Sequence, residues 1–205
     1  MAVNNATMQT PPTREQLLDT LRTLGHPVFT AGDFNLNLVG IRAADRRPDA
    51  FDDLICCAWR EADRWLFRAW PATTDPGLPF LREPMNAGGT AILAEGHHRR
   101  CWAIGLHLGR IRALVQVAPM RVYRDGNRDD QFDLDPQTIT EGVYGINLHP
   151  AWSVPVAQQV GRWSAGCQVP QRVRDFQELL ARCETSSRIF GNRFSYTLIR
   201  EEDLM

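Results

Sequence analysis

The pattern of hydrophobic and polar positions begins with a helical segment. Thr13 and Gln16 have the spacing of a capping box, and four leucines then recur at helical spacing as far as Leu24. This pattern predicts an N-terminal helix that ends at Gly25, because glycine is the residue that most readily closes a helix. The polar residues 1–12 predict an irregular lead-in ahead of it.

The middle of the chain, from residue 34 to about residue 148, predicts short strands. Alternating or β-rich runs are separated there by turn signals rich in Pro, Gly, Asp and Asn. The runs are FNLNLVGIR, FDDLICCAWR, RWLFRAWPA, CWAIGLHLG, RALVQVAP and MRVYRDG. Strands at this density are typical of a curved sheet, a sandwich or a barrel.

The last part of the chain predicts a helix and a final strand. An amphipathic helix is indicated by apolar residues at helical spacing, namely Val173, Phe176, Leu179, Leu180 and Cys183. The segment NRFSYTLIR then predicts a strand. No repeat or linker divides the chain after residue 34. We therefore expect a mainly β (α+β) fold, with a tail and helix at residues 1–30 and one domain at residues 31–205.

Composition and charge narrow the function classes. The 205 residues are 43% hydrophobic and 23% charged, with a formal net charge of −1. A chain without a basic excess is not expected to bind nucleic acid. No apolar run approaches the roughly 20 residues that span a bilayer, so no integral membrane segment is expected. The start, MAVNNATMQTPPTREQ, lacks the pattern of a secretory signal. We expect synthesis in the cytoplasm, with action in the periplasm or cell wall only after delivery by another route.

One of the five cysteines differs from the rest. An odd number with an adjacent pair, Cys56 and Cys57, is a poor disulfide framework. That pair lies in a predicted strand and should point to opposite faces, and four of the five cysteines are expected to fill the core. Cys167 is the exception, because Ser164, Ala165 and Gly166 precede it and small residues leave room for a substrate.

Cys167 has a candidate base 18 residues upstream, His149. A cysteine nucleophile needs a base, access, and donors for the oxyanion. Two antiparallel strands joined by a loop would place the imidazole beside the thiol. Gly166 would let the substrate approach, and its N–H or that of Cys167 could serve an oxyanion hole.

These residues resemble a known family. The pairing of INLH with a downstream SAGC is similar to the signature of the L,D-transpeptidase (YkuD-type) catalytic domain, which is a histidine, a gap of this order and Ser-x-Gly-Cys. The segment ATTDPG, residues 72–77, resembles the stretch that precedes the catalytic half of that domain. The resemblance covers residues 65–182 and implies a β-rich sandwich or barrel that acts on peptidoglycan stem peptides.

The resemblance implies a chemistry and roles for four residues. Cys167 would attack the carbonyl of the diamino acid at the third position of a stem peptide and release the terminal D-residue. His149 would take the thiol proton and later activate the acceptor. An amine acceptor gives a cross-link, whereas water gives carboxypeptidase or endopeptidase activity. Gly166 and Ser164 would support the site, and neither a metal nor a cofactor is implied.

Three departures from the family pattern keep other functions open. The family usually has Gly directly after the histidine, where this chain has Pro150. It usually has His or Arg between Ser and Gly, where this chain has Ala165. It usually has Arg two residues after the cysteine, where this chain has Val169. A non-catalytic module that binds peptidoglycan or builds a phage or injection particle is the alternative, and a cysteine peptidase or acyltransferase on another substrate is a third. The missing export signal indicates a phage or secretion apparatus as the carrier, and favours wall cleavage over wall construction.

Further residues are candidates for substrate contact. Arg162 suits a substrate carboxylate, because a guanidinium binds carboxylates through two hydrogen bonds. Trp163 and Trp152 could wall a cleft, although core packing is favoured slightly for both. His107 lies between two glycines in a predicted strand that could carry it to the site, although the role of a hydrogen-bonded strand histidine is favoured.

Two patterns resemble metal loops. One run of residues offers possible zinc ligands, namely His97, His98, Cys101 and His107. Structural zinc sites usually take four ligands from two well-spaced pairs, and no matching second pair is present, so zinc is not favoured. His97 and His98 are expected in a solvated turn instead. A second run places oxygen ligands at alternate positions, as calcium-binding loops do, namely Asp125, Asn127 and Asp129. Calcium binding by this loop is left open. A turn between strands explains that loop more simply.

Overall fold

The structure is a computed structural model, and it describes residues 10–45 and 47–204. The first nine residues of the predicted lead-in lie outside the described residues. The described part is mainly β, with a curled sheet that forms a half-barrel and with three helices. The helices are α1 (Arg14–Thr23), α2 (Leu78–Arg82) and α3 (Val173–Phe190).

Within the described residues, ten strands form two sheets. The strands are β1 (Asn37–Arg42), β2 (Asp53–Glu61), β3 (Arg64–Thr73), β4 (Thr90–Leu93), β5 (Gly96–His107), β6 (Ile111–Gln116), β7 (Met120–Asp125), β8 (Thr140–Gly142), β9 (Val169–Pro170) and β10 (Phe194–Arg200). The large sheet has the order β6-β5-β10-β1-β2-β3-β9, and the small sheet has the order β4-β7-β8. Each of the six predicted runs and the final strand is confirmed. The short strands β4, β8 and β9 were not predicted, because pairing rather than local pattern defines strands of two to four residues.

The two long helices cover opposite faces of the large sheet. The predicted capping box of α1 is confirmed, since Thr13 accepts a hydrogen bond from Gln16 N and the Gln16 side chain accepts one from Thr13 N. The leucines of α1 pack with Cys56, whereas the apolar side of α3 packs with Cys57. The adjacent cysteines therefore point to opposite faces, as predicted. No described helix is long and apolar enough to cross a membrane.

The edges of the large sheet are joined at one residue. Leu148 pairs with Leu114 of β6 on one side and with Gln168, next to β9, on the other. Strands β6 and β9 are the two edges of the sheet, so Leu148 bridges its open side. Sequence spacing predicted antiparallel strands for the His149 and Cys167 segments. That prediction was wrong, because the Leu148–Gln168 bridge is parallel.

A second expectation is corrected in β5. His97 and His98 do not lie in a solvated turn, because β5 begins at Gly96 and contains both residues. The His98 side chain is buried and its Nε2 lies 2.9 Å from the carbonyl oxygen of Ala94. Burial lowers the pKa of His98 to about 4. The Arg-rich sequence around these histidines suggested exposure, but pairing with β10 sets their environment.

A buried charge cluster surrounds Arg42, the last residue of β1. The Arg42 guanidinium lies 2.9 Å from Asp75 and 2.8 Å from Glu95. Nearby, Asp53 accepts hydrogen bonds from Ala43 N and from both the N–H and the hydroxyl of Thr74. Burial raises the pKa of Asp75 to about 7 even with Arg42 beside it. These carboxylates hold the segment 72–77 against the sheet.

Asp52 predicts a pH dependence of stability. Its side chain is buried, and burial together with the negative charge of Asp45 raises its pKa to about 7. The Asp52 contribution to stability is therefore full below pH 4 and is lost as the pH rises through 7. Asp52→Asn removes the buried charge, so it should raise the free energy of unfolding at pH 8 by on the order of 1 kcal/mol and change it little at pH 4. Denaturant unfolding at both pH values measures this, with the exposed Asp19→Asn as the control.

An equal effect of Asp52→Asn at pH 4 and pH 8 would contradict the assignment of a raised pKa to this carboxyl. The control variant loses only an exposed ion pair with Arg22, so it should change the free energy of unfolding by at most about 0.5 kcal/mol.

Candidate active site

The loop Ser164–Cys167 is shaped by one hydroxyl and one glycine. The buried Ser164 Oγ donates to the carbonyl oxygen of Cys167 at 2.7 Å and accepts from Gly166 N at 3.1 Å. Gly166 has φ +119°, and a Cβ there would lie 2.2 Å from the carbonyl oxygen of Ala91. The sequence therefore needs a serine and a glycine here for structural reasons, whatever the chemistry of the cysteine.

Residues behind the loop fix its position, and sequence reasoning did not identify them. The fully buried Gln168 donates from Nε2 to the carbonyl oxygen of Thr74 and accepts at Oε1 from the Tyr196 hydroxyl, 2.9 Å away. A Cβ on Gly40 would lie 1.8 Å from that hydroxyl, so only glycine leaves room for it. Thr74 belongs to the segment ATTDPG, whose likeness to a family motif was the only signal that could have found this contact.

Cys167 and His149 lie on the same face of the paired segments. Gln168 N donates to the carbonyl oxygen of Asn147, and His149 N donates to the carbonyl oxygen of Gln168. Side chains alternate along extended chain, so Cys167 and His149 both point away from the buried Leu148. They are diagonal neighbours, and both line one cavity.

The Cys167 thiol is neutral and held by backbone groups. Its Sγ lies 3.4 Å from the carbonyl oxygen of Gly145, to which it donates, and 3.5 Å from Asn147 N, which donates to it. Burial raises the pKa of Cys167 to about 11, against the opposing effect of the Asn147 N–H. A thiol in this state becomes a nucleophile only when a base removes its proton.

His149 has the free nitrogen that such a base requires. Its Nδ1 lies 3.0 Å from the carbonyl oxygen of Pro150, to which it donates, so a backbone carbonyl orients the ring. Its Nε2 is buried and has no hydrogen-bond partner within the described residues. Burial lowers the pKa of His149 to about 4, with a smaller contribution from His107. The imidazole is therefore neutral at pH 7, with a lone pair available.

His107 lies directly against this ring. The two imidazoles stack with centroids 4.0 Å apart and planes inclined by 16°. Asn147 contacts His107 from the neighbouring segment, with its Nδ2 lying 2.9 Å from His107 Nδ1. The β5–β6 hairpin thus brings His107 to the site, as the sequence suggested.

The cavity has a volume of about 670 Å³ and combines aromatic, cationic and apolar groups. Trp152 and Trp163 meet edge to face at 4.9 Å and line the cavity, so they are wall residues as well as packing residues. Arg162 is exposed and Arg124 stacks over Tyr144, and both line the same space. No Asp or Glu among the described residues lines it. The cavity therefore favours an anionic ligand.

One of the two backbone N–H groups suggested as oxyanion donors is already occupied. The Gly166 N–H is occupied by Ser164 Oγ, so it is not available to a substrate. The Cys167 N–H has no hydrogen-bond acceptor in the described part of the chain. Of the two predicted donors, only the Cys167 N–H is unoccupied.

The metal patterns do not assemble a site. Within residues 10–45 and 47–204, no group of three His, Cys, Asp or Glu side chains stands in a metal-holding arrangement. In the loop after β7, Asn127 Nδ2 donates to Asp129 and Asp133, and Asp133 N donates to Asp125. These hydrogen bonds form the turn that the sequence suggested as the simpler reading.

Gly166→Ala should disrupt the loop Ser164–Cys167. Its Cβ would overlap the Ala91 carbonyl, and the residue would keep a strained positive φ, so we expect a loss of several kcal/mol in unfolding free energy. Gly145→Ala is the matched control, since Gly145 has φ +80° with open space around its Cβ position, and should lose only about 1–2 kcal/mol. Denaturant unfolding of both variants measures the difference; equal losses would contradict the role assigned to the Ala91 contact.

Comparisons with known proteins provide no family for the chain. No protein-family model, no curated protein and no solved structure matches it.

Proposed function

We propose that this protein is a cysteine-dependent acyl-transfer enzyme of the L,D-transpeptidase type that acts on peptidoglycan stem peptides. The observation that carries the proposal is that the Cys167 thiol and a buried His149 Nε2, which has no hydrogen-bond partner among the described residues, line the same cavity. A buried imidazole nitrogen without a partner is costly in a core, and a proton from a neighbouring thiol would satisfy it. The likeness of INLH and SAGC to the family signature supports the choice of reaction.

The proposed reaction has two balanced steps. In the first, the Cys167 Sγ–H passes its proton to His149 Nε2, and the sulfur attacks the peptide carbonyl carbon. The carbonyl electron pair moves onto oxygen, near the Cys167 N–H. Return of that pair breaks the C–N bond, and His149 gives its proton to the departing amine. In the second step, an amine or water gives a proton to His149 Nε2 and attacks the thioester, which releases the Cys167 thiolate to regain that proton.

The cavity fits a peptide that carries carboxylates. Arg162 and Arg124 offer guanidinium groups on its wall, and the residues of the wall include no described carboxylate that would repel such a ligand. Trp152 and Trp163 offer flat apolar surface for the peptide backbone or an aliphatic side chain. A stem peptide contains both kinds of group.

A binding module without chemistry is the second candidate. Two observations favour the binding module. Burial raises the pKa of Cys167, so the thiol is protonated at rest. The thiol also donates to the Gly145 carbonyl and not to His149. The binding reading requires neither a base nor an oxyanion donor, whereas the enzyme reading requires both. Turnover by the intact pair distinguishes the two.

Cys167→Ala should abolish turnover, and His149→Gln should lower it by about 10²–10⁴-fold, because general base catalysis is worth that much. The measurement is digestion of purified muropeptides followed by mass spectrometry. The expected products are loss of a terminal D-alanine or a cut at a 3–3 cross-link, seen only with the native pair. No product with the native protein, but retained binding of muropeptides by both variants, would support the binding module instead.

Cys183→Ala is the matched control for the cysteine substitution, since Cys183 is fully buried in the α3 contact and lies outside the cavity. It should keep turnover if it folds. Selective alkylation of Cys167 would not by itself demonstrate catalysis, because the other four cysteines are fully buried.

Arg162→Gln should raise KM by about tenfold, which is the loss of one charge-assisted hydrogen bond, with little change in kcat. Arg188→Gln, an exposed arginine in the last turn of α3, is the control and should leave KM unchanged. Steady-state kinetics on a stem tetrapeptide and on its C-terminal amide tests the contact. An equal KM increase for both substrates would show that Arg162 does not bind the terminal carboxylate.

A further inference from the structure

We propose that His107 is a positioning residue for His149, and that Asn147 keeps His107 neutral so that His149 alone takes the proton from Cys167. The inference rests on the proposed function for its consequence, but its structural content can be tested without turnover. It is carried by the stack of the two rings and by the hydrogen bonds of the Asn147 amide.

The amide of Asn147 has only one orientation that satisfies its neighbours. Gln116 N donates to Asn147 Oδ1 at 2.7 Å, and a backbone N–H has only a proton to offer. The Nδ2 group must therefore face His107, whose Nδ1 lies 2.9 Å away. An amide NH₂ can only donate, so His107 Nδ1 is an acceptor and its ring proton is on Nε2.

This assignment makes the two histidines opposite tautomers. His149 carries its proton on Nδ1, where the Pro150 carbonyl accepts it, and leaves Nε2 free. His107 carries its proton on Nε2 and gives its Nδ1 lone pair to Asn147. Only one ring of the stacked pair therefore has a nitrogen free to accept a proton.

Because the two rings are stacked, the protonation state of one ring affects that of the other. With ring centroids 4.0 Å apart, a charge on one imidazole repels a charge on the other, and the pair titrates as a unit. Protonation of His107 would replace its hydrogen bond to Asn147 with a contact between two donors. It would also oppose the imidazolium that His149 must form when Cys167 loses its proton.

Among the described residues that line the cavity, no group would reverse this preference. Trp152 packs against both rings at 5.6 Å, and Arg124, Arg162 and Cys167 line the same cavity. The described lining residues include no carboxylate. Burial lowers the pKa of His107, in the same direction as its hydrogen bond with Asn147.

The first test is long-range ¹H–¹⁵N NMR of the histidine rings in the full chain at pH 7, with His107→Phe used to assign the signals. We expect His107 as the neutral Nε2–H form and His149 as the neutral Nδ1–H form. A proton on His107 Nδ1, or a charged His107 at this pH, would overturn the proposal whether or not the protein turns over a substrate.

The second test replaces the amide by an acceptor. Asn147→Asp keeps an oxygen for Gln116 N but places a carboxylate at His107 Nδ1, which should raise the pKa of His107 by about 1–3 pH units. The same NMR titration measures this, and an unchanged His107 titration would overturn the proposal. The acid limb of the kcat/KM profile should move to higher pH in Asn147→Asp and move back in Asn147→Asp/His107→Phe. A shift that persists without His107 would assign the effect to Asn147 alone.

Discussion

The candidate site depends on the two backbone bridges at Leu148. Through them the edge strand β6 and the short strand β9 are joined, and the segments that carry His149 and Cys167 become neighbours. The Leu148 side chain is fully buried, so the alternation of the chain turns both reactive groups to the other face, toward the cavity. A change of one residue in this register would send the imidazole into the core and the leucine into the cavity.

Burial sets the electrostatic state of the pair. The thiol and the imidazole are both neutral at pH 7, since burial raises the pKa of Cys167 and lowers that of His149. The resting site thus avoids an ion pair in the protein interior, where charges are costly. In the proposed reaction, charge separation would be deferred until a substrate carbonyl is present to receive the sulfur. That charge separation would be influenced by an anionic ligand bound near Arg162 and by the removal of water from the cavity.

Sequence patterns predicted the elements well and their pairing poorly. The alternation in β2 and the helical spacing in α3 are local signals, and the opposite faces of Cys56 and Cys57 follow from them. The parallel bridge between Leu148 and Gln168 is a contact between distant segments, which spacing cannot distinguish from an antiparallel one. His97 and His98 were misplaced for the same reason, since pairing with β10 buries His98. The stack of His107 on His149 also required the three-dimensional arrangement.

The contacts of the site explain why departures from the family signature are compatible with the proposed chemistry. Pro150 serves His149 through its backbone carbonyl, which every residue possesses, so proline in place of glycine keeps this acceptor. Val169 is buried in an apolar cluster and is not among the residues that line the cavity, whereas Arg162 lines it from another position. Ala165 lines the cavity without filling it, and His107 supplies an imidazole from a different strand. Ser164 and Gly166, two positions that keep the signature, are fixed by direct contacts, because the serine hydroxyl donates to the Cys167 carbonyl and a Cβ at position 166 would overlap the Ala91 carbonyl.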